Sequence, residues 1–344
     1  MNPAVSVVIP AYNAASTLSR TLDSLLAQDS DTWEAIVVDD GSTDDTAAVA
    51  RAYAARARTP KAIRLVRQEN RGLGAARNAG IREAKTPYLH CLDADDLVEP
   101  SFYREMVVAL ENTPQGSAPG RCAVSGYIQF VDDGPERMRI PPPKAEAFQP
   151  EILCVHNFGP PCNFLFERSI LDVCGLFDET LPHCQDWDLW LRFARAGVRF
   201  IPLENRLLCR YRLRPASLSR NHARFLRTVF TVVARAGEPD QRLPRENGRQ
   251  RIVLRERVVL GQAGQWAYCL KKAASELNAQ AVDEIWTLGR ETLPDDFFLC
   301  PDTYGVDLAF QPVEADPDAS EGEMRALYET ARQARQPVAA GGGA

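Results

Sequence analysis

The sequence predicts an α/β protein, with a mostly parallel central sheet flanked by helices and a helical C-terminal extension. Three observations predict it. Over roughly the first hundred residues, short apolar runs of strand length alternate with segments of helical periodicity. Each of the four strand runs ends in a polar or acidic cluster. From Asn221 onward the apolar residues keep only a helical spacing.

Val5–Ile9 is the first strand and runs into Pro10, Ala11, Tyr12 and Asn13, after which Leu18, Leu22, Leu25 and Leu26 recur at helical spacing. Ala35–Val38 is the second, leading into Asp39, Asp40, Gly41, Ser42, Thr43 and Asp44, and an alanine-rich helix follows over Thr46–Ala57. Ala62–Val66 is the third, ending in Gln68–Gly72 before a helix over Leu73–Ala84. Tyr88–Leu92 is the fourth and ends in Asp93, Ala94, Asp95 and Asp96. Strand, helix, strand at this spacing implies parallel pairing with right-handed crossovers. Ligands of such sheets collect beyond the carboxyl ends of the strands, so four polar clusters on that edge mark a site.

The composition narrows the class. The chain has 344 residues, 45% hydrophobic and 25% charged, which excludes a disordered, collagen-like or coiled-coil protein. That length exceeds what one core needs, so a main domain and a smaller second one are expected. Forty basic and forty-six acidic residues leave a charge of −6, which argues against a nucleic-acid partner. No uncharged apolar run is long enough to span a membrane; Ile152–Phe166 is broken by Gly159, Pro160 and Pro161. The opening Met-Asn-Pro-Ala lacks the basic segment of a signal peptide. Nine dispersed cysteines, none two residues from another, point to free thiols in a reducing, cytoplasmic compartment and against zinc.

Two clusters carry chemistry. Gly72-Leu73-Gly74-Ala75-Ala76-Arg77 fails as a dinucleotide fingerprint, because Arg77 stands where the helix-packing glycine belongs and the first strand is not involved. No Gly-Lys-Ser/Thr phosphate loop is present. Arg77 is better read as a cation near a phosphate at a helix start, its plain alternative being a solvated helix arginine. Asp93, Asp95 and Asp96 repel one another unless a cation or hydrogen bonds compensate. At a strand end they offer oxygen ligands to Mg²⁺ or Mn²⁺. Asp96 also reads as the N-cap of a helix over Leu97–Leu110.

Together these segments resemble the GT-A glycosyltransferases of family 2. The resemblance rests on Val5–Asn13, Ile36–Asp44, Asn70–Gly80 and Leu92–Asp96, with Cys174–Glu179 and Gln185–Arg192 further on, and covers about residues 4–220. It implies a Rossmann-like GT-A domain over 1–220, with a nucleotide-binding half (1–97) and an acceptor half (98–220). A helical region over 221–335 and a disordered tail over 336–344 would follow. It implies a nucleotide-diphosphate-sugar donor, a UDP-sugar above others, and inverting transfer to a hydroxyl of a glycan or lipid-linked acceptor. Pro10, Ala11, Tyr12 and Asn13 would line the nucleotide, with Asp39 or Asp40 binding the base and Arg77 near the diphosphate or ribose. Asp93, Ala94 and Asp95 form the Asp-x-Asp motif, Asp95 being the more direct ligand of Mn²⁺ or Mg²⁺. Asp186 falls on the catalytic base and starts an amphipathic helix with Leu189, Trp190 and Phe193; Asp188 is the runner-up, facing solvent or an arginine. The chain departs from the family at Gln185, where an acid is frequent, and at Arg214, where a histidine is frequent. Arg214 would then neutralise the leaving diphosphate, or His222 would reach back.

The near-neutral total hides two blocks. Arg206–Arg257 holds fourteen arginines and four acids, whereas Glu291–Glu329 holds eleven acids and one arginine. The basic block would meet an anionic membrane or a phosphorylated lipid acceptor, placing the protein peripherally at the inner face; otherwise it pairs with the acidic block. Trp266 and Tyr268 read as core or acceptor-groove residues. Competing functions are a sugar-nucleotide pyrophosphorylase, which would want a glycine-rich loop on the first strand, and a degenerate transferase that only binds a glycan or partner.

Overall fold

Strand β1 (Val5–Ala11) is buried along its whole length, as an apolar run covered on both faces must be. In this computed structural model, which describes residues 4–57, 62–132, 134, 136–213, 222–243, 251–275 and 279–293, β1 lies between β2 (Trp33–Asp40) and β4 (Tyr88–Cys91), with β3 (Ala62–Gln68) beyond β2. All three pairings are parallel, with Val8 opposite both Ile36 and Cys91. The crossovers are helices α1 (Leu18–Leu26), α2 (Thr46–Arg56) and α3 (Leu73–Glu83).

The period-two alternation of β1 divides the core. Val5, Val7 and Ile9 pack with Leu18, Leu22 and Leu25 of α1, Ala50 of α2, and Phe102 and Met106 of α4 (Phe102–Asn112). Val8 packs on the opposite face with Ala76 and Ile81 of α3. There Gly80 lets α3 sit directly on the sheet: a Cβ at Gly80 would lie 2.4 Å from Val8 Cγ1 and 3.1 Å from Val38 Cγ2.

Beyond β4 the sheet becomes mixed. Its order is β3-β2-β1-β4-β8-β6-β9-β5, where β5 is Leu97–Val98, β6 Arg121–Phe130, β8 Phe164–Glu167 and β9 Arg199–Arg212; β7 (Glu136–Ile140) pairs with β6. β6 and β9 are parallel, whereas β8, β7 and β5 join antiparallel. Asp96 does not cap a helix. Leu97–Val98 is a strand on β9, and α4 starts at Phe102 after Ser101. Pro100 explains the difference, because a proline disfavours helical backbone at the residue before it.

Short α5 (Pro150–Leu153) and α6 (Ile170–Cys174) precede α7 (Gln185–Ala196), and α8 (His222–Ala236), α9 (Arg255–Ser275) and α10 (Ala279–Thr292) complete the described chain. Leu226, Val229 and Val233 of α8, Trp266 of α9 and Ile285 of α10 share one apolar cluster with Val8, Trp187 and Trp190. Trp266 is a core residue whose indole N–H donates to the Ile285 carbonyl at 3.0 Å. Among the described residues no helix is long and apolar enough to cross a membrane.

Candidate active site

The loops leaving β1 and β2 are stitched together. Asn13, at φ 49° in the left-handed region that asparagine tolerates, donates its N–H to Ser42 Oγ (3.0 Å) and accepts the Thr43 N–H at Oδ1 (2.9 Å). Ala14 and Ala15 donate to Thr46 Oγ1 and Asp44 Oδ2. Pro10 and Ala11 are buried below, and Tyr12 is left 53% exposed. Asp39 and Asp40 are both buried. Asp40 accepts three donors, from Gln68 Nε2, Arg71 N and Gly72 N at 2.7–2.9 Å, and so anchors the β3–α3 loop. Asp39 accepts Ser42 N (2.9 Å) and Arg67 Nε (2.7 Å), and the Ser42 side chain also hydrogen-bonds it. Burial opposes its charge, but the Ser42 and Arg67 hydrogen bonds outweigh burial and hold its carboxyl below the usual range.

At the end of β4, Asp93 and Asp95 are half-buried on either side of buried Ala94. The turn is held from behind by Arg212, whose Nε donates to the Asp95 carbonyl (2.8 Å) and whose N–H donates to Asp96 Oδ1 (2.9 Å). Burial, then the charges of Asp95 and Asp93, push the carboxyl of Asp96 well above the usual range. Arg77 is no solvated helix residue: only 2% of its side chain is exposed, and its Nη2 donates to Asp93 Oδ1 at 2.8 Å. Its guanidinium lies 5.3 Å from the Phe177 ring centroid. Burial works against its charge, yet Asp93 above all, and also Asp186, raise its pKa. Its Nε and Nη1 have no hydrogen-bond partner among the described residues.

Asp186 reaches the same cluster from α7. Cys184, at φ 56°, turns the chain so that α7 begins at Gln185 with Asp186 in its first turn. Asp186 Oδ1 accepts the Trp187 N–H (2.8 Å), and the Asn157 side chain also hydrogen-bonds it. Burial pushes its carboxyl up, Arg77 pulls it down, and the net shift is upward. Gln185 turns away and donates to the Leu181 carbonyl at 2.7 Å, so the departure from the frequent acid falls outside the cluster. Asp188 faces arginines rather than solvent: it is buried and accepts from Arg192, Arg235 and Arg242.

The structure thus brings Arg77, Asp93 and Asp186 into one electrostatic neighbourhood. Tyr211 belongs there too, since its hydroxyl is held protonated by burial and then by the charges of Asp96, Asp93 and Asp186. Sequence reasoning missed Asn157, Phe177 and the role of Tyr211. Asn157 carried no motif signal, whereas Phe177 stands inside the Cys174–Glu179 segment and Tyr211 beside Arg212. Arg214 lies outside the described residues, as do residues 294–344 with most of the acidic block and the tail; His222 is buried at the start of α8. Six arginines of the basic block pair elsewhere: Arg206 with Glu105, Arg210 with Glu99 and Glu136, Arg212 with Asp132, Arg251 with Glu151, and Arg235 and Arg242 with Asp178 and Asp188.

Asp93 and Asp95 fit a hard divalent cation. Both are carboxylates with solvent access, and Asp93 keeps Oδ2 while Arg77 engages Oδ1. No three His, Cys, Asp or Glu side chains among the described residues close around one point. Two carboxylates as a donor set suit an ion that draws its remaining ligands from phosphate and water.

Residues 6–175 match the model of the family described as glycosyl transferase family 2. An uncharacterized glycosyltransferase of Rickettsia prowazekii is 30% identical over 221 residues, 62% of this chain and 65% of that protein. The succinoglycan biosynthesis protein ExoO of Rhizobium meliloti is 34% identical over 231 residues, 63% of each. The chain spans less than two thirds of the length of these relatives. S. aureus TarS 1–349 in complex with UDP-GlcNAc shares the fold with a TM-score of 0.56 at 16% identity, over 97% of this chain and 92% of that one. The mannosyltransferase PcManGT from Pyrobaculum calidifontis, in complex with GDP-Man and Mn²⁺, does so at 0.55 and 18%, over 98% and 89%.

Proposed function

Residues 6–175 belong to glycosyl transferase family 2 and the fold is of the GT-A type, and from that premise we propose that the protein moves a sugar from a nucleotide-diphosphate donor to a hydroxyl of a glycan or lipid-linked acceptor, with inversion. The observation that carries this reading is the meeting of Arg77, Asp93 and Asp186 beyond β4. Asp186 is the general base. Its upward shift makes it a stronger proton acceptor than an ordinary carboxylate, and Asn157 and the Trp187 N–H fix its orientation. Tyr12 offers an exposed ring to the nucleotide base, and Asp39 holds half-exposed Arg67 beside it. Arg77, with two donor nitrogens unpartnered among the described residues in a buried setting, orients Asp93 near the diphosphate. A divalent cation held by Asp93 and Asp95 would offset charge on the departing diphosphate.

UDP-sugars are the proposed donors; TarS binds UDP-GlcNAc and PcManGT binds GDP-Man, so both bases belong in the test. ExoO, named for succinoglycan biosynthesis, supports a polysaccharide acceptor. Turnover of a panel of UDP-, GDP- and dTDP-sugars with Mn²⁺ tests the activity, and Asp186→Asn tests the mechanism. The variant is expected to lose about 10²–10⁴-fold in kcat, the range for a positioned base, with nucleotide affinity held within a few-fold. Unchanged kcat would remove Asp186 from the reaction, and a product retaining the donor's anomeric configuration would exclude single displacement.

A further inference from the structure

Behind the base helix lies a closed ion-pair network that the family match does not reach. Asp188 is 3% exposed, and Arg242 grips both of its oxygens in a fork, Nη1 to Oδ2 at 2.9 Å and Nη2 to Oδ1 at 3.0 Å. Arg192, on the next turn of α7, donates to Asp188 Oδ2 from Nε (3.0 Å) and Nη2 (2.9 Å). Arg235 of α8 reaches Asp188 Oδ1 (3.3 Å) and Asp178 Oδ2 (2.8 Å). Asp240, just after α8, holds Arg242 Nη2 at 2.6 Å. Three acids meet three arginines. Asp178 follows Phe177, the ring beside the Arg77 guanidinium, so the network touches the supports of both Asp186 and Arg77.

We propose that Arg242 and Arg235 are positioning residues for catalysis, which through Asp188 set the rotation of α7 and so the place where the Asp186 carboxylate meets the acceptor. The inference rests on the reading of Asp186 as the base. Asp186 and Asp188 are two residues apart on one helix, hence about 200° around its axis, on opposite faces. A grip on Asp188 from behind is therefore a grip on the orientation of Asp186 in front. A carboxyl roughly 6 Å from the helix axis moves about 1 Å for each 10° of rotation, and a misplacement of that size can cost about 10²-fold in rate. The apolar side of α7 also resists sliding, through the Trp187 indole N–H donating to the Leu153 carbonyl (2.6 Å) and Trp190 stacked on Phe164 (4.2 Å). The charged fork supplies an angular constraint that an apolar contact lacks.

The test uses the full chain, with release of nucleoside diphosphate from the best donor of the sugar-nucleotide panel as the rate. Turnover is expressed per UDP-binding site counted by calorimetry, so that a misfolded fraction drops out. Arg242 is 30% exposed, which favours a folded Arg242→Met variant; Asp240→Asn loosens the same fork without touching α7, and Arg242→Lys is the conservative partner. Arg242→Met is expected to lose about 10–100-fold in kcat per site with UDP affinity within about two-fold, Asp240→Asn less, and Arg242→Lys to recover part of the loss. Unchanged kcat per site in both Arg242→Met and Asp240→Asn, or loss only of binding sites, would overturn the proposal. Asp186→Asn, run in parallel, separates the two readings. If it keeps full turnover the base assignment falls and this inference with it; if it loses turnover while the fork variants do not, only this inference falls.

Discussion

His90 shows how closely single side chains in this core are specified. It is buried on β4 between the Tyr103 hydroxyl and the Cys162 carbonyl, each at 2.9 Å, a pairing that suits the neutral ring. Burial lowers its pKa to about 4. Because the folded value lies below the unfolded one, near 6.5, the stability it supports is present above pH 6.5 and is lost as pH falls toward 4, amounting to about 3 kcal/mol. Denaturant titrations over that window should show this slope, and His90→Gln, which keeps a donor and an acceptor without titrating, should flatten it. Asp186 has the opposite sign of shift. As a base it works only when ionised, so turnover should fall as pH drops through its raised value, with the acid limb above the ordinary carboxylate range. That limb should vanish from the residual activity of Asp186→Asn; its survival there would assign it to another group.

Elements set how well such residues are aimed. Helix α3 carries Arg77 and, three residues later, Gly80 against Val8 and Val38. Valine is stiff at χ1, so Gly80→Ala must lift the helix or shift the strands, at roughly 1–3 kcal/mol by denaturant unfolding. A variant as stable as the parent would mean that the helix has room that the packing does not show. The first four strands, their helices and α7 were legible in the sequence because strong local periodicity and tertiary burial agree there. Strands β5–β9 were not: β5, β7 and β8 are two to five residues long and carry little pattern, and the pairings among β5, β6, β8 and β9 join segments far apart in the chain. The same limit applied to the site. Asp93, Arg77 and Asp186 stand in motifs, but Asn157 lies in a loop, and the burial of Arg77 depends on Phe177, a hundred residues away.

At the scale of the molecule, the C-terminal helices are bound into the core of the α/β domain. Leu226, Val229 and Val233 are almost wholly buried in the cluster that contains Trp187 and Leu189. Exposing each such contact costs on the order of 1.5–3 kcal/mol, against a typical total of roughly 5–15. A chain ending at residue 220 should therefore lose near-UV circular dichroism and bind apolar dyes, even though the family match ends at residue 175. A truncated chain with native spectra and nucleotide affinity would show the opposite. The charge blocks make the same point. Opposite charge was legible in the sequence, but its destination was not, because Arg206, Arg210 and Arg251 find acids from β4–α5 segments far earlier in the chain.

The eight described cysteines are free and buried, and burial raises the thiols of Cys91, Cys154, Cys174 and Cys269 to about 12. They lie on β4, at the end of α5, on α6 and on α9. The thiolate is the reactive form, so in the folded protein these positions are silent toward alkylating reagents. A pulse of iodoacetamide at rising denaturant would consequently mark each region as it opens, giving a built-in map of the order in which the sheet and the C-terminal helices come apart.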